Sequence, residues 1–170
     1  MQSFSPAAIA AILAFLVSVP AVAADTIVGK ARIVTGDIIE INRERIHLFG
    51  IAAPAPAQTC MAKGARWSCG QNATFALSAI VDRQWVHCAR TGAAPAERTT
   101  AVCRLAGANG PDIGAAMVRQ GWALADRRVS TAYVREEDAA RRAKAGLWVG
   151  EFVPPWDWRP RAPLNGATTQ

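Results

Sequence analysis

ARIVTGDIIEINRERIHLFGIAAPAPAQTC, residues Ala31 to Cys60, is the stretch from which the fold is read. Ile33-Val34 runs into Thr35-Gly36-Asp37, Ile38 to Ile41 follows, Asn42-Arg43-Glu44 turns the chain, and Arg45 to Ile51 leads into Ala52-Ala53-Pro54. The pattern predicts three short strands joined by two tight turns. Gly36 can accept positive φ, Asp37 can bond its own backbone, and Asn42 suits the opening of the second turn. In the third strand Ile46 and Leu48 alternate with Arg45, His47 and Phe49, so one face is buried and the other presents polar groups on which a site can be built.

Working outward, Gly70 to Arg83 places Ala73, Ala76, Leu77, Ile80 and Val81 at helical spacing. Ala55 to Thr59 reads as loop, and Lys63 to Ser68 continues it. Gln84 to Arg90 and Thr99 to Leu105 read as two further strands around a loop of small residues, Thr91 to Ala96. Asp112 stands in the first turn of a second helix, whose left-handed C-cap is expected at Gly121. Ser130 or Thr131 caps a third helix over Ala132–Ala145, with Tyr133, Val134, Ala140 and Ala143 on its buried side and Gly146 at its end. Glu151 to Pro160, EFVPPWDWRP, is expected to lie extended against the body. Five strands, a helix after the third and two helices at the end are the order of an α+β protein built on a five-stranded Greek-key β-barrel, the OB-fold.

Gly36-Asp37, Leu48-Phe49-Gly50-Ile51 followed by Pro54, and Val118-Arg119-Gln120-Gly121-Trp122-Ala123 together resemble the thermonuclease, or staphylococcal-nuclease-like, family from about Ile27 to Trp158. That family has the OB-fold with its active site beside the first three strands. It holds calcium with two Asp carboxylates and a backbone carbonyl, activates water with a Glu, and grips phosphate with two Arg. The resemblance places the first Asp at Asp37 and the second Arg at Arg98. It places the second Asp at Ala52, the carbonyl donor at Ala53, the Glu at Ala55 and the first Arg at His47. Thr35 and Ile38 also depart from the pattern on either side of the first turn.

Phosphodiester hydrolysis needs charge neutralisation and an activated water. Calcium prefers six to eight oxygens, and a positioned general base supplies about 10²–10⁴ in rate, so methyl groups at Ala52 and Ala55 remove what the reaction most demands. An ordinary imidazole at His47 is mostly uncharged near neutrality. Asp37 remains as a remnant calcium ligand and Arg98 as an anion contact. Each is equally a good turn residue and a solvated strand-start cation. Arg127 and Arg128 are candidate phosphate contacts, although Asp126, where the family often has a Tyr over the nucleotide, offsets part of their charge.

The net charge of +6 and a pI near 9.8 favour polyanions such as DNA, RNA or an anionic surface. Residues 1–24 contain no charged side chain, hold an apolar run from Ala7 to Val19 and end in Ala21-Val22-Ala23-Ala24, the pattern of a signal peptide. The expected organisation is therefore a leader at 1–24, one domain at 25–160 and a tail at 161–170. With the leader removed no membrane span remains, and the product is expected to be monomeric and periplasmic or secreted. The alternative is an uncleaved amino-terminal anchor.

Cys60, Cys69, Cys88 and Cys103 allow three pairings; Cys60 with Cys69 and Cys88 with Cys103 are expected, the second across a hairpin. A zinc site is disfavoured, because there is no C-x-x-C pair and His47 and His87 lack zinc-finger spacing. The functional expectation is an exported thermonuclease-like domain that binds nucleic acid, another polyanion or a protein partner, with hydrolysis lost. The alternatives are a metal-dependent nuclease on DNA or RNA working through a rewired site, and a structural module of the envelope that makes contact through its Pro/Trp segment.

Overall fold

The computed structural model describes residues 25–92 and 98–160, so the leader, the tail and residues 93–97 lie outside the described part. The strands begin earlier than the turn pattern indicates. β1 (Thr26–Lys30) buries Ile27 and exposes its neighbours, and after Ala31 the chain continues as β2 (Arg32–Ile33). β3 (Ile38–Ile41) and β4 (Glu44–Leu48) form a hairpin through Asn42 at φ 53° and Arg43 at φ 67°. Short β5 (Ile51–Ala52) follows. The segment read as loop contains a second hairpin, β6 (Cys60–Ala62) and β7 (Ala65–Trp67), turning through Lys63 and Gly64, both left-handed.

α1 (Cys69–Val81) buries Cys69, Ala73, Leu77 and Val81, one residue in four along a single face. β8 (Trp85–Arg90) and β9 (Thr99–Leu105) return across the sheet. α2 (Ile113–Arg119) has Asp112 as its N-cap rather than in its first turn; the carboxylate accepts the Ala115 N–H at 3.0 Å. After β10 (Leu124–Ala125), α3 (Val134–Ala143) starts later than its sequence suggests, because the Ser130 hydroxyl accepts the Ala132 N–H in a preceding turn. Ala143 is exposed, not buried, and the inward positions are Glu137 and Ala140. Lys144, not Gly146, is the left-handed C-cap.

The main sheet runs β1-β8-β9-β4-β3-β2, antiparallel except where β4 pairs parallel to β9. Since β1 lies at one end of that order and β2 at the other, the continuous strand 26–33 joins both ends and curls the sheet into a half-barrel. Gly29 permits the curl: a Cβ there would stand 2.5 Å from Ile41 Cγ2. Ile39, Ile41, Ile46, Leu48 and Val86 fill the interior, covered by Leu77, Ile113 and Met117 from the helices. This is the OB-like α+β fold the order of elements predicts. The two disulfides are Cys60–Cys69 and Cys88–Cys103, as expected; the second joins directly opposed residues of β8 and β9.

A smaller cluster of Cys60, Cys69, Leu124 and Leu147 is covered by Trp67, Trp148, Phe152 and Trp156. The C-terminal segment is fastened there. Met61 and Glu151 exchange both backbone hydrogen bonds, and the fully buried Gln58 amide donates to the Val153 carbonyl at 2.7 Å.

Gly121 has φ +76°, and a Cβ there would lie 2.1 Å from the Ala145 carbonyl oxygen. Left-handed backbone alone costs an L-residue about 1–2 kcal/mol. Gly121→Ala is therefore expected to destabilise by at least about 2 kcal/mol, read from the urea midpoint at unchanged m-value.

Candidate functional site

The polar face of the first hairpin carries the groups that resemblance singles out. Thr35 to Asp37 form the loop before β3, where the Val34 and Thr35 amides both donate to the Ile38 carbonyl. Gly36 is required for space, not for positive φ: a Cβ there would meet the Ala53 Cβ at 2.7 Å and the Ala73 Cβ at 3.0 Å. Asp37 thus sits against the Ala53 backbone. One carboxylate oxygen accepts the Ala53 N–H at 3.0 Å, and the other accepts the Thr35 hydroxyl at 2.7 Å. Burial pushes its pKa above the usual carboxylate value, against the lowering effect of those two bonds and of nearby His47.

Around this one acid, Ala52 and Ala55 present only methyl groups, both half-buried. Ala52 pairs with Leu124 across β5 and β10, and the start of α1 presses on the Ala55 carbonyl, where a Cβ at Gly70 would stand 1.8 Å away. Among the described residues no three His, Cys, Asp or Glu side chains are grouped to hold a metal ion. A single carboxylate already accepting two protein hydrogen bonds does not fit a calcium ion that takes six to eight oxygens.

The Asp37 carboxyl holds its proton more tightly in the folded protein than in the unfolded chain. The folded state binds more protons in the window that opens at the ordinary carboxylate pKa and closes at the raised one, so this group's contribution falls as pH rises through that window. Asn can accept from Ala53 with its carbonyl and donate to the Thr35 oxygen. Asp37→Asn is expected to be at least as stable as the parent at neutral pH. Its advantage should shrink on acidification through the carboxylate range, as measured by denaturant unfolding at several pH values.

His47 stands opposite Ile38 on β3 and Thr100 on β9, half-buried on the outer face of β4. Burial, and then the charge of Arg98, hold its pKa below the usual imidazole value, with Asp37 opposing. It is therefore neutral at pH 7. His47 thus feels both Asp37 and Arg98, and it shares a cleft with Arg98 that Asp37 does not line.

Two cations unmarked by the sequence reading join them. Arg43, Arg45, His47 and Arg98 line one cleft of about 470 Å³ with Glu44 and Thr99. Arg45 lies two residues before His47, hence on the same strand face. Its carboxylate contact is long, 3.9 Å to Glu40, which Arg32 holds at 2.6 Å. Arg43 occupies a turn position that favours Gly, at a cost of about 1–2 kcal/mol. Glu44, the acid of the cleft, is held by Arg90 at 2.6 and 2.9 Å and by the Thr99 hydroxyl at 2.6 Å. Among the described residues, three guanidiniums thus face the cleft with no free carboxylate to balance them. A signal for them was available in the misplaced Arg of Asn42-Arg43 and the period of two from His47.

Arg127 and Arg128 lie elsewhere and are occupied. Arg127 pairs with buried Glu137 at 2.8 Å; Arg128 makes a two-bond pair with Asp126, each bond 2.8 Å, and stacks 4.9 Å from the Trp156 ring centroid. The Arg128 hydrogen bonds hold the Asp126 carboxyl below its usual pKa.

Residues 45–150 match the family described as staphylococcal nuclease homologue. The chain is also similar to the succinoglycan biosynthesis protein ExoI of Rhizobium meliloti (strain 1021), with 31% identity over 153 residues, spanning 87% of this chain and 78% of that protein.

Proposed function

The chain belongs to the staphylococcal nuclease-like family, and from that premise we propose that it is an exported binding module that holds an anionic polymer in the old active-site cleft without hydrolysing it. The supporting observation is the imbalance of the cleft. The one remaining acid at the calcium positions is turned onto Ala53 and Thr35, while Arg43, Arg45 and Arg98 face the cleft beside a neutral His47. Such a site attracts phosphate or carboxylate groups and lacks the base that would prime a water. The two disulfides support an oxidising compartment, periplasmic or extracellular, reached through a cleaved leader at residues 1–24, with the mature domain monomeric. No helix among the described residues is long and apolar enough to cross a membrane.

The test is binding and cleavage of single-stranded DNA and RNA with calcium, manganese or chelator. Binding without cleavage is expected, and metal-dependent cleavage by the parent protein would overturn the reading. Arg98→Ala and Arg45→Ala should each weaken binding across sequences and lower the slope of log affinity against log salt by about one. A second reading rests on the Rhizobium relative, whose name assigns it to succinoglycan biosynthesis. By that likeness the anionic polymer is a polysaccharide, and competition between an anionic polysaccharide and DNA at Arg98 distinguishes the two.

A further inference from the structure

A second cleft, about 610 Å³, opens between α3, β10 and the C-terminal segment, away from the Arg98 cleft. Its walls are aromatic. Trp148, Phe152 and Trp156 all line it and all are half-buried, so ring surface remains open to a ligand. Trp148 and Phe152 meet edge to face at 5.1 Å, and Arg141 stacks 4.5 Å from the Trp148 centroid, as Arg128 does on Trp156. These contacts fix the ring planes. At the floor, Glu137 accepts the Ala125 N–H at 3.0 Å and the Arg127 guanidinium.

The charges decide what fits. Arg127, Arg128 and Arg141 are equalled in number by Asp126, Glu137 and Glu151, with Arg127 and Arg141 both directed at Glu137 and Arg128 at Asp126, so the lining is neutral overall. A polyanion would meet three carboxylates, and a free cation would meet three guanidiniums. A proline-rich peptide brings apolar rings and carbonyl acceptors for the arginines but few donors for the carboxylates. A polyhydroxylated ring has what the cleft asks for: apolar C–H faces for the indoles, and hydroxyls that both donate to Asp126 or Glu151 and accept from the paired arginines. The volume lies within the range of small-ligand sites and suits a short oligosaccharide rather than one sugar. We propose that the cleft between α3 and the Trp148–Trp156 segment is a binding site for neutral oligosaccharide, separate from the anion cleft.

The test is titration of the disulfide-bonded protein with cellotetraose, maltotetraose and laminaritetraose, followed by the indole N–H signals in NMR. Tetragalacturonate, octathymidylate and a proline-rich peptide are run beside them. At least one neutral sugar should shift the Trp148 and Trp156 signals and leave exposed Trp85 unmoved. Trp156→Ala should weaken that binding about tenfold, Trp156→Phe should recover part of it, and Arg98→Ala should leave it unchanged. If Trp156→Ala does not fold, the parent signals and Trp156→Phe carry the test. No shift with any neutral sugar at millimolar concentration overturns the proposal, as does a response of these signals to the peptide or the charged probes alone. Because Arg98→Ala separates the two clefts, failure here leaves the anion reading standing, and the reverse holds.

Discussion

The triple substitution Ala52→Asp, Ala55→Glu and His47→Arg is expected to give a calcium-dependent nuclease. Cleavage of single-stranded DNA should rise at least about a hundredfold over the parent, the lower end of what a positioned base supplies. The first change adds a carboxylate beside Asp37, so that both acids can turn to an ion. The second returns a base on backbone that α1 clamps through Gly70. The third adds to the Arg98 cleft a guanidinium that stays charged at every working pH. No single change should suffice, since groups acting as a unit are far from additive. Without calcium the variant should be less stable than the parent, because new acids stand unpaired near a half-buried one. With calcium at about a hundred times its dissociation constant the melt should recover by about 2.7 kcal/mol. An active parent, or a triple variant that binds calcium tightly yet cuts nothing, would refute the account of how the chemistry was lost.

Removing the Cys88–Cys103 bridge is expected to cost about 3 kcal/mol. The two cysteines are 15 apart in sequence, and closing a loop of about that length is worth roughly this much in the chain-entropy model. Both residues are buried among the strands, so the paired alanine variant also leaves a small void in a region that cannot readily collapse. A chain of this size loses about 2–4 °C per kcal/mol, so the melting temperature should fall by roughly 10 °C. The Cys60→Ala/Cys69→Ala pair closes a shorter span, 9 in sequence, and its loss should loosen chiefly the β6–β7 hairpin and the C-terminal segment. Thermal melts of both double variants, with the parent under reductant as reference, check the order.

The sequence was most legible where local chemistry and long-range packing agree. Ile46 and Leu48 alternate with polar neighbours and are buried as alternation demands; Ala73, Leu77 and Val81 recur at helical spacing and form the face that α1 buries. It was least legible where packing overrides preference. β6 and β7 contain no β-branched residue, and only the left-handed Lys63-Gly64 turn hinted at a hairpin held by a disulfide and by Glu151. Glu137 looks like a surface residue of a polar helix, yet it is buried because a strand amide ten or more residues away and two arginines need its oxygens. Gly36 was assigned to the right turn for the wrong reason: the neighbours that forbid a Cβ there, Ala53 and Ala73, are distant in the chain. The same holds at the site. Asp37 and Arg98 could be placed by resemblance, but that Asp37 turns onto Ala53, and that Arg43 and Arg45 join Arg98, depends on the hairpin meeting β9 in parallel register.

The strand from Thr26 to Ile33, bent at Ala31, is bonded to β8 on one stretch and to β3 on the next. It works as a clasp. Prying it off frees two margins in one event, so the curled sheet cannot peel open gradually from a single side, and a protease meets either the folded sheet or a loose chain.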